Sequence, residues 1–148
     1  MTTAIHRRVD ALRAGGDPAF VARLASGWAV LGERQVLPGY CLLLPDPVVP
    51  TLNALAGERR SEFLEDMAAL GDAVLEVTRA VRINYAIFGN QDPALHAHVI
   101  PRYAHEPVPH ATDTPFSYDW NAAPPFDAEL HGDLRDRIHA ALGRMARS

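Results

Sequence analysis

Two stretches of the chain space their apolar residues three or four positions apart. The first runs over residues 58–77, and its apolar positions are Phe63, Met67, Leu70, Val74 and Val77. Acidic residues occupy much of the remainder, so this stretch predicts the main amphipathic helix. The second begins at Asp127, a suitable N-cap. It predicts a final helix whose buried stripe is Leu130, Leu134, Ile138, Leu142 and Met145.

Shorter apolar runs predict strands. Residues 28–31 and 40–44 are bounded by glycine and proline, which is typical of adjacent antiparallel strands. Residues 81–88 alternate in polarity and predict a third strand, and the turn Gly89-Asn90-Gln91-Asp92-Pro93 leads to a fourth over 94–101. Because these strands come mostly as hairpins rather than alternating with helices, the class is α+β with an antiparallel sheet.

The two ends of the chain predict additions to this core. Residues 4–24 carry helical stripes interrupted at Gly15-Gly16-Asp17-Pro18, which predicts two short helices. Residues 104–126 are proline-rich and irregular, but they contain Phe116, Tyr118 and Trp120. We expect an ordered cover whose aromatic rings pack over the sheet, with a place in a pocket or a dimer interface as the alternative.

Length and hydrophobic content indicate one domain. The chain has 148 residues, of which 48% are hydrophobic, enough for a single core. We divide residues 1–148 into an N-terminal helical segment (1–25), a core (28–103) and a C-terminal cover and helix (104–148).

Charge and cysteine usage exclude several functions. A net charge of −4 argues against binding a nucleic-acid duplex. All fourteen basic residues are arginine, so Schiff-base and P-loop lysine chemistry are excluded. Cys41 is the sole cysteine, which rules out intrachain disulfides and cysteine-rich zinc sites. With no signal-peptide or membrane-span pattern, we expect a cytoplasmic protein without membrane contact.

Two histidines stand out in the fourth strand. His96 and His98 are two residues apart, so they share one face of a strand with Cα atoms roughly 7 Å apart. Three interpretations compete. The histidines have no role; they hold a metal together with a third ligand, for which His105 and His110 lie nearest in sequence; or one attacks phosphorus as a neutral imidazole.

Neighbouring residues favour the third interpretation. Gly89, Asn90 and Gln91 form a turn able to direct N–H groups and amides at an anion, Arg102 follows the strand, and Asn84 adds an amide on the adjacent strand. All are neutral or positive, which suits an anionic, nucleotide-like substrate.

The run INYAIFGNQDPALHAHVIPRY resembles the signature of the histidine triad (HIT) superfamily of nucleotide hydrolases and transferases. That signature is His, apolar, His, apolar, His and two apolar residues, often followed by Pro-Arg. LPGYCLLLPDPVVPTLNAL resembles the second strand of the family, and the likeness covers about residues 28–103. It implies an antiparallel sheet of about five strands with a long amphipathic helix and a C-terminal helix.

The resemblance also assigns roles. His96 matches the nucleophile, which forms a nucleotidyl intermediate on the α-phosphate, and His98 matches the histidine on the phosphate or leaving side. Asn84, Asn90 and Gln91 match groups near phosphate and ribose. Two positions depart from the motif: Ala94 stands where the first histidine belongs, and Tyr40 replaces the histidine after Pro-Gly. Those histidines orient the nucleophile's ring, so other partners must set the tautomer of His96.

The resemblance implies a hydrolase that cleaves a phosphoanhydride or phosphoramidate of a nucleotide or dinucleoside polyphosphate. It implies a homodimer and no resident metal, although Mg²⁺ could accompany a polyphosphate. Tyr40 and Arg102 complete the expected substrate-binding set. Nucleotide binding with little catalysis is the main alternative because of residues 94 and 40, and a metal-dependent enzyme using His96 and His98 is a more distant one.

Overall fold

A computed structural model describes residues 2–147 and contains one five-stranded sheet. Its strands are β1 (Phe20–Arg23), β2 (Gly27–Leu31), β3 (Cys41–Pro45), β4 (Arg82–Ala86) and β5 (Ala97–Arg102). Every neighbouring pair is antiparallel, and the spatial order is β1-β2-β3-β5-β4. The three α-helices are α1 (Ala4–Arg13), α2 (Glu58–Thr78) and α3 (Ala128–Ala146). The α+β class and the five-stranded antiparallel sheet are therefore confirmed.

The interior strands of the sheet are covered on both faces. Helices α2 and α3 cover one face, where Phe63 and Ile138 join a cluster that includes Leu43. Helix α1 and part of the segment 104–126 cover the other face, in a second cluster around Leu42. Strand β3 is consequently buried along its whole length, which explains why its sequence is continuously apolar rather than alternating.

The prediction of a second N-terminal helix is wrong, because that part of the chain forms a strand. Residues 20–23 form β1, an edge strand in which Phe20 pairs with Val30 and Arg23 with Trp28. Asp17 directs this change, because its side chain accepts a hydrogen bond from the Ala19 N–H and opens the turn into the strand. Four residues are too few for a stable helix, and the backbone groups find partners in β2 instead.

The C-terminal helix begins where the sequence predicts, but fewer of its apolar residues are buried than expected. Asp127 caps it by accepting hydrogen bonds from the N–H groups of Glu129 and Leu130. Ile138 and Leu142 are buried, whereas Leu130 is 72% exposed, so its assignment to the buried stripe is wrong. The first turn of α3 extends past the edge of the core. Within residues 2–147, no helix is both long and apolar enough to cross a membrane.

Residues 104–126, called the cover from here on, join the body through backbone hydrogen bonds. The N–H of Gln35 donates to the Pro124 carbonyl, and the adjacent N–H of Phe126 donates to Glu33. Short 3-10 turns at 110–112, 115–117 and 120–122 make up much of the rest. These bonds tie the end of the cover to the loop between β2 and β3, from which Tyr40 also comes.

Candidate active site

The ring of His96 is oriented by the backbone of a nearby residue. Its Nδ1 atom lies 2.8 Å from the carbonyl oxygen of Ala94. A carbonyl oxygen only accepts hydrogen bonds, so Nδ1 carries the proton and donates it. In the neutral ring, Nε2 therefore keeps a free lone pair, which is the form that attacks an electrophile.

Tyr40 pairs with His98 and not with His96. The Tyr40 hydroxyl is 2.7 Å from Nδ1 of His98, and the two rings are stacked with centroids 5.9 Å apart. Gly32 makes room for this tyrosine, because a Cβ at that position would lie 2.1 Å from Cε2 of Tyr40. Tyr40 thus contacts the second histidine of the pair.

Burial keeps both partners of this pair uncharged. It raises the pKa of Tyr40 well above its ordinary value. Burial also lowers the pKa of His98 to about 4, with a smaller contribution from the neighbouring His96. At neutral pH the pair is a neutral phenol hydrogen-bonded to a neutral imidazole. His96 lies beside it, with ring centroids 5.1 Å from His98.

Both histidines open into a cleft of about 930 Å³ between the sheet and α1. Tyr40 and Leu42 contribute to its wall. The other lining residues come from α1, from the turn before β1, from the loop after β2 and from the cover: Ala4, Ile5, Arg7, Arg8, Asp17, Pro18, Ala19, Glu33, Arg34, Trp120, Pro125 and Phe126. The volume is within the range typical of small-molecule sites.

The cleft contains cations that the sequence did not single out. Arg7 and Arg8 come from α1, and Arg34 from the loop after β2. Arg8 is held in place, since Nε lies 3.0 Å from Asp17 and Nη2 donates to the Leu31 carbonyl. Arginines on the polar side of a helix look like an ordinary solvated face in sequence, so only the docking of α1 identifies them.

The other predicted substrate-binding residues lie outside the cleft lining. Gly89, Asn90 and Gln91 form the loop between β4 and β5, where both amides are exposed. This loop starts beside the histidines, because the ring of Phe88 is 6.0 Å from that of His98. Their phosphate-binding role stays a prediction.

Arg102 and Asn84 are hydrogen-bonded to each other. Nη1 of Arg102 donates to Oδ1 of Asn84 at 2.7 Å and to the Asp113 carbonyl. Nε and Nη2 donate to Glu106, and Nη2 also donates to the His110 carbonyl. All five N–H groups of the guanidinium are therefore used inside the protein. The arrangement gives no support to the expectation that Arg102 contacts phosphate.

The cover contributes aromatic rings to the site. The Trp120 ring lies 5.0 Å from Tyr40 and 6.3 Å from His98, and it lines the cleft. Phe116 stacks on Trp120 and lies 6.2 Å from His98. The expectation that these rings only pack over the sheet is wrong for Trp120. Its side chain belongs to both the packing and the pocket.

A metal site finds no support in the described chain. Across residues 2–147, no three or more histidine, cysteine, aspartate and glutamate side chains are grouped to hold an ion. Of the two histidines nearest in sequence to the pair, His110 bonds through Nδ1 to Ser117 and stacks on Tyr118, and His105 packs near Tyr103. The metal alternative therefore lacks its third ligand there.

The architecture is an antiparallel α+β fold with His98 on the interior strand β5 and His96 directly before it. Solved structures share this fold. No family model matches the sequence, and no curated protein matches it. A hypothetical histidine triad nucleotide-binding protein of Sulfolobus tokodaii has a TM-score of 0.74 at 14% identity, over 94% of this chain and 93% of that one.

Two bacterial histidine triad proteins also have a fold similar to that of this chain. That of Sinorhizobium meliloti has a TM-score of 0.73 at 19% identity, covering 95% of this chain and 97% of its own. That of Marinobacter aquaeolei has a TM-score of 0.70 at 20% identity, covering 97% and 98%. At these identities the likeness establishes the fold. The chain has the histidine triad fold along nearly its whole length, as the motif predicts.

Proposed function

We propose that this protein binds nucleotides and cleaves a phosphoanhydride or phosphoramidate at the α-phosphate through a nucleotidyl-His96 intermediate. The hydrogen bond from Nδ1 of His96 to the Ala94 carbonyl carries the proposal. It supplies the orientation that the missing family histidines would otherwise secure, and it leaves Nε2 free to attack. The cleft beside it has the size for a nucleotide and contains arginines suited to an anionic ligand.

In the first step, the Nε2 lone pair of His96 forms a bond to the α-phosphorus while the bond to the leaving group breaks. The leaving group departs with the electron pair. In the second step, water attacks the phosphorus of the adduct and the P–N bond breaks, with its electron pair returning to Nε2. One proton of the water passes to solvent, and a nucleoside monophosphate and neutral His96 are released. Asn90 and Gln91 from the loop, and His98, stabilise the charge on the phosphoryl oxygens.

The state of His98 favours good leaving groups. His98 is neutral at physiological pH because its pKa is about 4, and burial keeps Tyr40 protonated. Neither group readily gives up a proton at pH 7. A phosphate leaves as a stable anion without one, whereas an amine requires one. We therefore place phosphoanhydrides, including dinucleoside polyphosphates, ahead of phosphoramidates.

A homodimer, a cytoplasmic location and Mg²⁺ bound with a polyphosphate substrate complete the proposal. The dimer is supported by β4, which is an edge strand with a free side. Next to that edge, Val81 is 56% exposed and Tyr85 42%, so a partner strand would find apolar surface there. Sedimentation velocity of the purified protein measures the oligomeric state directly.

The rival function is nucleotide binding with little catalysis, and Ala94 favours it because that position supplies no imidazole. One experiment separates the two functions. Wild type and His96→Ala are incubated with diadenosine polyphosphates and adenosine phosphoramidates, with and without chelator, and the released AMP is measured. We expect turnover that survives the chelator in assays without added Mg²⁺, and that disappears in His96→Ala.

Intact-protein mass spectrometry after rapid quenching supplies an independent readout. We expect a nucleotidyl adduct on wild type and none on His96→Ala. Binding of AMP by wild type without turnover or adduct would establish the rival function. Turnover that chelator abolishes without added Mg²⁺ would require a metal instead.

A further inference from the structure

Arg102 is a buried cation that donates to Asn84 on β4 and, through its other contacts, to the cover. Its side chain is 7% exposed and that of its partner Glu106 is 3% exposed, with Nη2 and Oε1 3.0 Å apart. Besides Glu106, the guanidinium donates to the carbonyls of His110 and Asp113. One side chain at the end of β5 thus binds three positions of the cover.

Glu106 extends the same network. Its Oε1 accepts from the Tyr118 hydroxyl at 2.7 Å, and its Oε2 accepts from the Tyr103 N–H at 2.6 Å. With Arg102 included, residues 103–118 are held around a single buried ion pair. An unpaired charge in this buried place would be strongly unfavourable. The chain around Arg102 and Glu106 is therefore held in the one arrangement that keeps the two side chains together.

The network fixes the rings that lie against His98. Phe116 follows Asp113 by three residues and precedes Tyr118 by two, so the network holds the backbone on both sides of it. Trp120 stacks on Phe116 and donates through Nε1 to the Pro115 carbonyl at 3.0 Å. Together with Phe88 and Tyr40, these rings surround His98. The titratable groups facing His98 are Tyr40 and His96.

We propose that Arg102 is a positioning residue which fixes the cover over the histidine pair, and that the cover serves to keep water away from His98. The guanidinium touches neither histidine, so it acts through Glu106 and the backbone of residues 110–118. Only the effect of the cover on catalysis depends on the proposed function. The geometry of the cover is independent of any substrate.

The test is the protonation of His98, followed by NMR of the ring protons in wild type, Arg102→Gln and Trp120→Ala. Water exclusion keeps the pKa of His98 near 4 in wild type. Loosening the cover in Arg102→Gln, or removing the ring in Trp120→Ala, exposes the imidazole. We expect its proton affinity to rise at least tenfold in both variants, toward the ordinary pKa of 6.5.

Arg82→Gln is the matched control. Arg82 is exposed and lies directly opposite Arg102 in the β4–β5 register, so the same charge is removed from the neighbouring strand. We expect the His98 titration of this variant to match wild type. An Arg102→Gln protein that is folded and titrates like wild type would overturn the positioning role, and so would an equal shift in Arg82→Gln.

Two variants keep the proposal testable if Arg102→Gln does not fold. Tyr118→Phe removes one hydrogen bond to Glu106 and leaves the ion pair intact, and we expect a smaller rise in the same direction. Trp120→Ala leaves the network untouched, and an unchanged titration there would end the water-exclusion role. The NMR titration needs no turnover, so a catalytically silent wild type would count against the proposed function alone.

Discussion

The carbonyl oxygen of Ala94 accepts a hydrogen bond from Nδ1 of His96, at 2.8 Å. The histidine triad signature that this stretch resembles has a histidine side chain at the position of Ala94, whereas the group that orients His96 here belongs to the backbone. A residue of any type at position 94 supplies this carbonyl, so the orientation of His96 does not depend on the side chain there. The backbone of Ala94 therefore sets the tautomer of His96 in which Nε2 is free to attack.

Introducing histidine at position 94 is expected to harm the protein. Ala94 is fully buried in the cluster that contains Tyr40 and Leu42, so an imidazole there overpacks the core. We expect Ala94→His to lower the free energy of unfolding by about 1–3 kcal/mol and to bring no gain in turnover. Thermal denaturation and an AMP-release assay measure both. Faster turnover at unchanged stability would show that the site lacks a side chain rather than space.

Removing the hydroxyl of Tyr40 is expected to affect stability more than catalysis. In Tyr40→Phe, the half-buried Nδ1 of His98 loses its partner, which costs about 1–3 kcal/mol. Turnover should fall less than about tenfold, a loss of about 1.4 kcal/mol in barrier height, because the Ala94 carbonyl still orients His96.

Tyr103→Phe is the control for this change, since its hydroxyl bonds to the Pro38 carbonyl away from the cleft. It should preserve turnover. A loss in Tyr40→Phe as large as that in His96→Ala would mean that the tyrosine acts on the nucleophile itself.

The stability of the protein is expected to fall as the pH drops from about 6.5 to about 4. In the folded state the pKa of His98 is lowered to about 4, while in the unfolded chain it is 6.5. Above 6.5 both states are neutral and the full stability is present. Between these values only the unfolded chain takes up the proton, so stability is lost, and below about 4 the loss is complete. Allowing for partial exposure, it amounts to roughly 2 kcal/mol.

Urea denaturation at closely spaced pH values measures this slope, and His98→Gln should reduce it. Asp46, whose pKa is lowered to about 2 by Arg13, adds a separate loss at lower pH. That second loss is centred between the ordinary pKa of 3.8 and about 2, so it lies at lower pH than most of the His98 loss. An unchanged slope between pH 4 and 6.5 in His98→Gln would assign it to another group.

A methyl group at Gly32 is expected to displace Tyr40. The added Cβ would lie 2.1 Å from a ring carbon of Tyr40, and the ring is packed against Trp120 and His98. We expect Gly32→Ala to lower the free energy of unfolding by about 1–3 kcal/mol and to reduce nucleotide affinity. Gly16→Ala is the control, because its nearest contact would be 3.7 Å. Equal behaviour of the two variants would mean that the Tyr40 ring moves freely.

Local patterns account for the parts of the fold that the sequence predicts well. The period of α2 and the cap at Asp127 are set by neighbours a few residues away, and the helices begin where expected. The helix predicted over residues 20–23 is wrong because a run of four apolar and polar residues fits a helix and a strand equally well. Their state depends on β2, with which they pair only once the chain has folded.

The sequence by itself determined that His96 and His98 share a face, since alternate residues of an extended chain point the same way. It also indicated the antiparallel class, through the spacing of its hairpins. Only the tertiary structure decided the partners of Arg102 and the arginines of the cleft. A guanidinium has the same five donors toward a phosphate as toward Glu106, Asn84 and two carbonyls. Which of these it meets depends on groups up to eighteen residues away, and no local pattern encodes that distance in space.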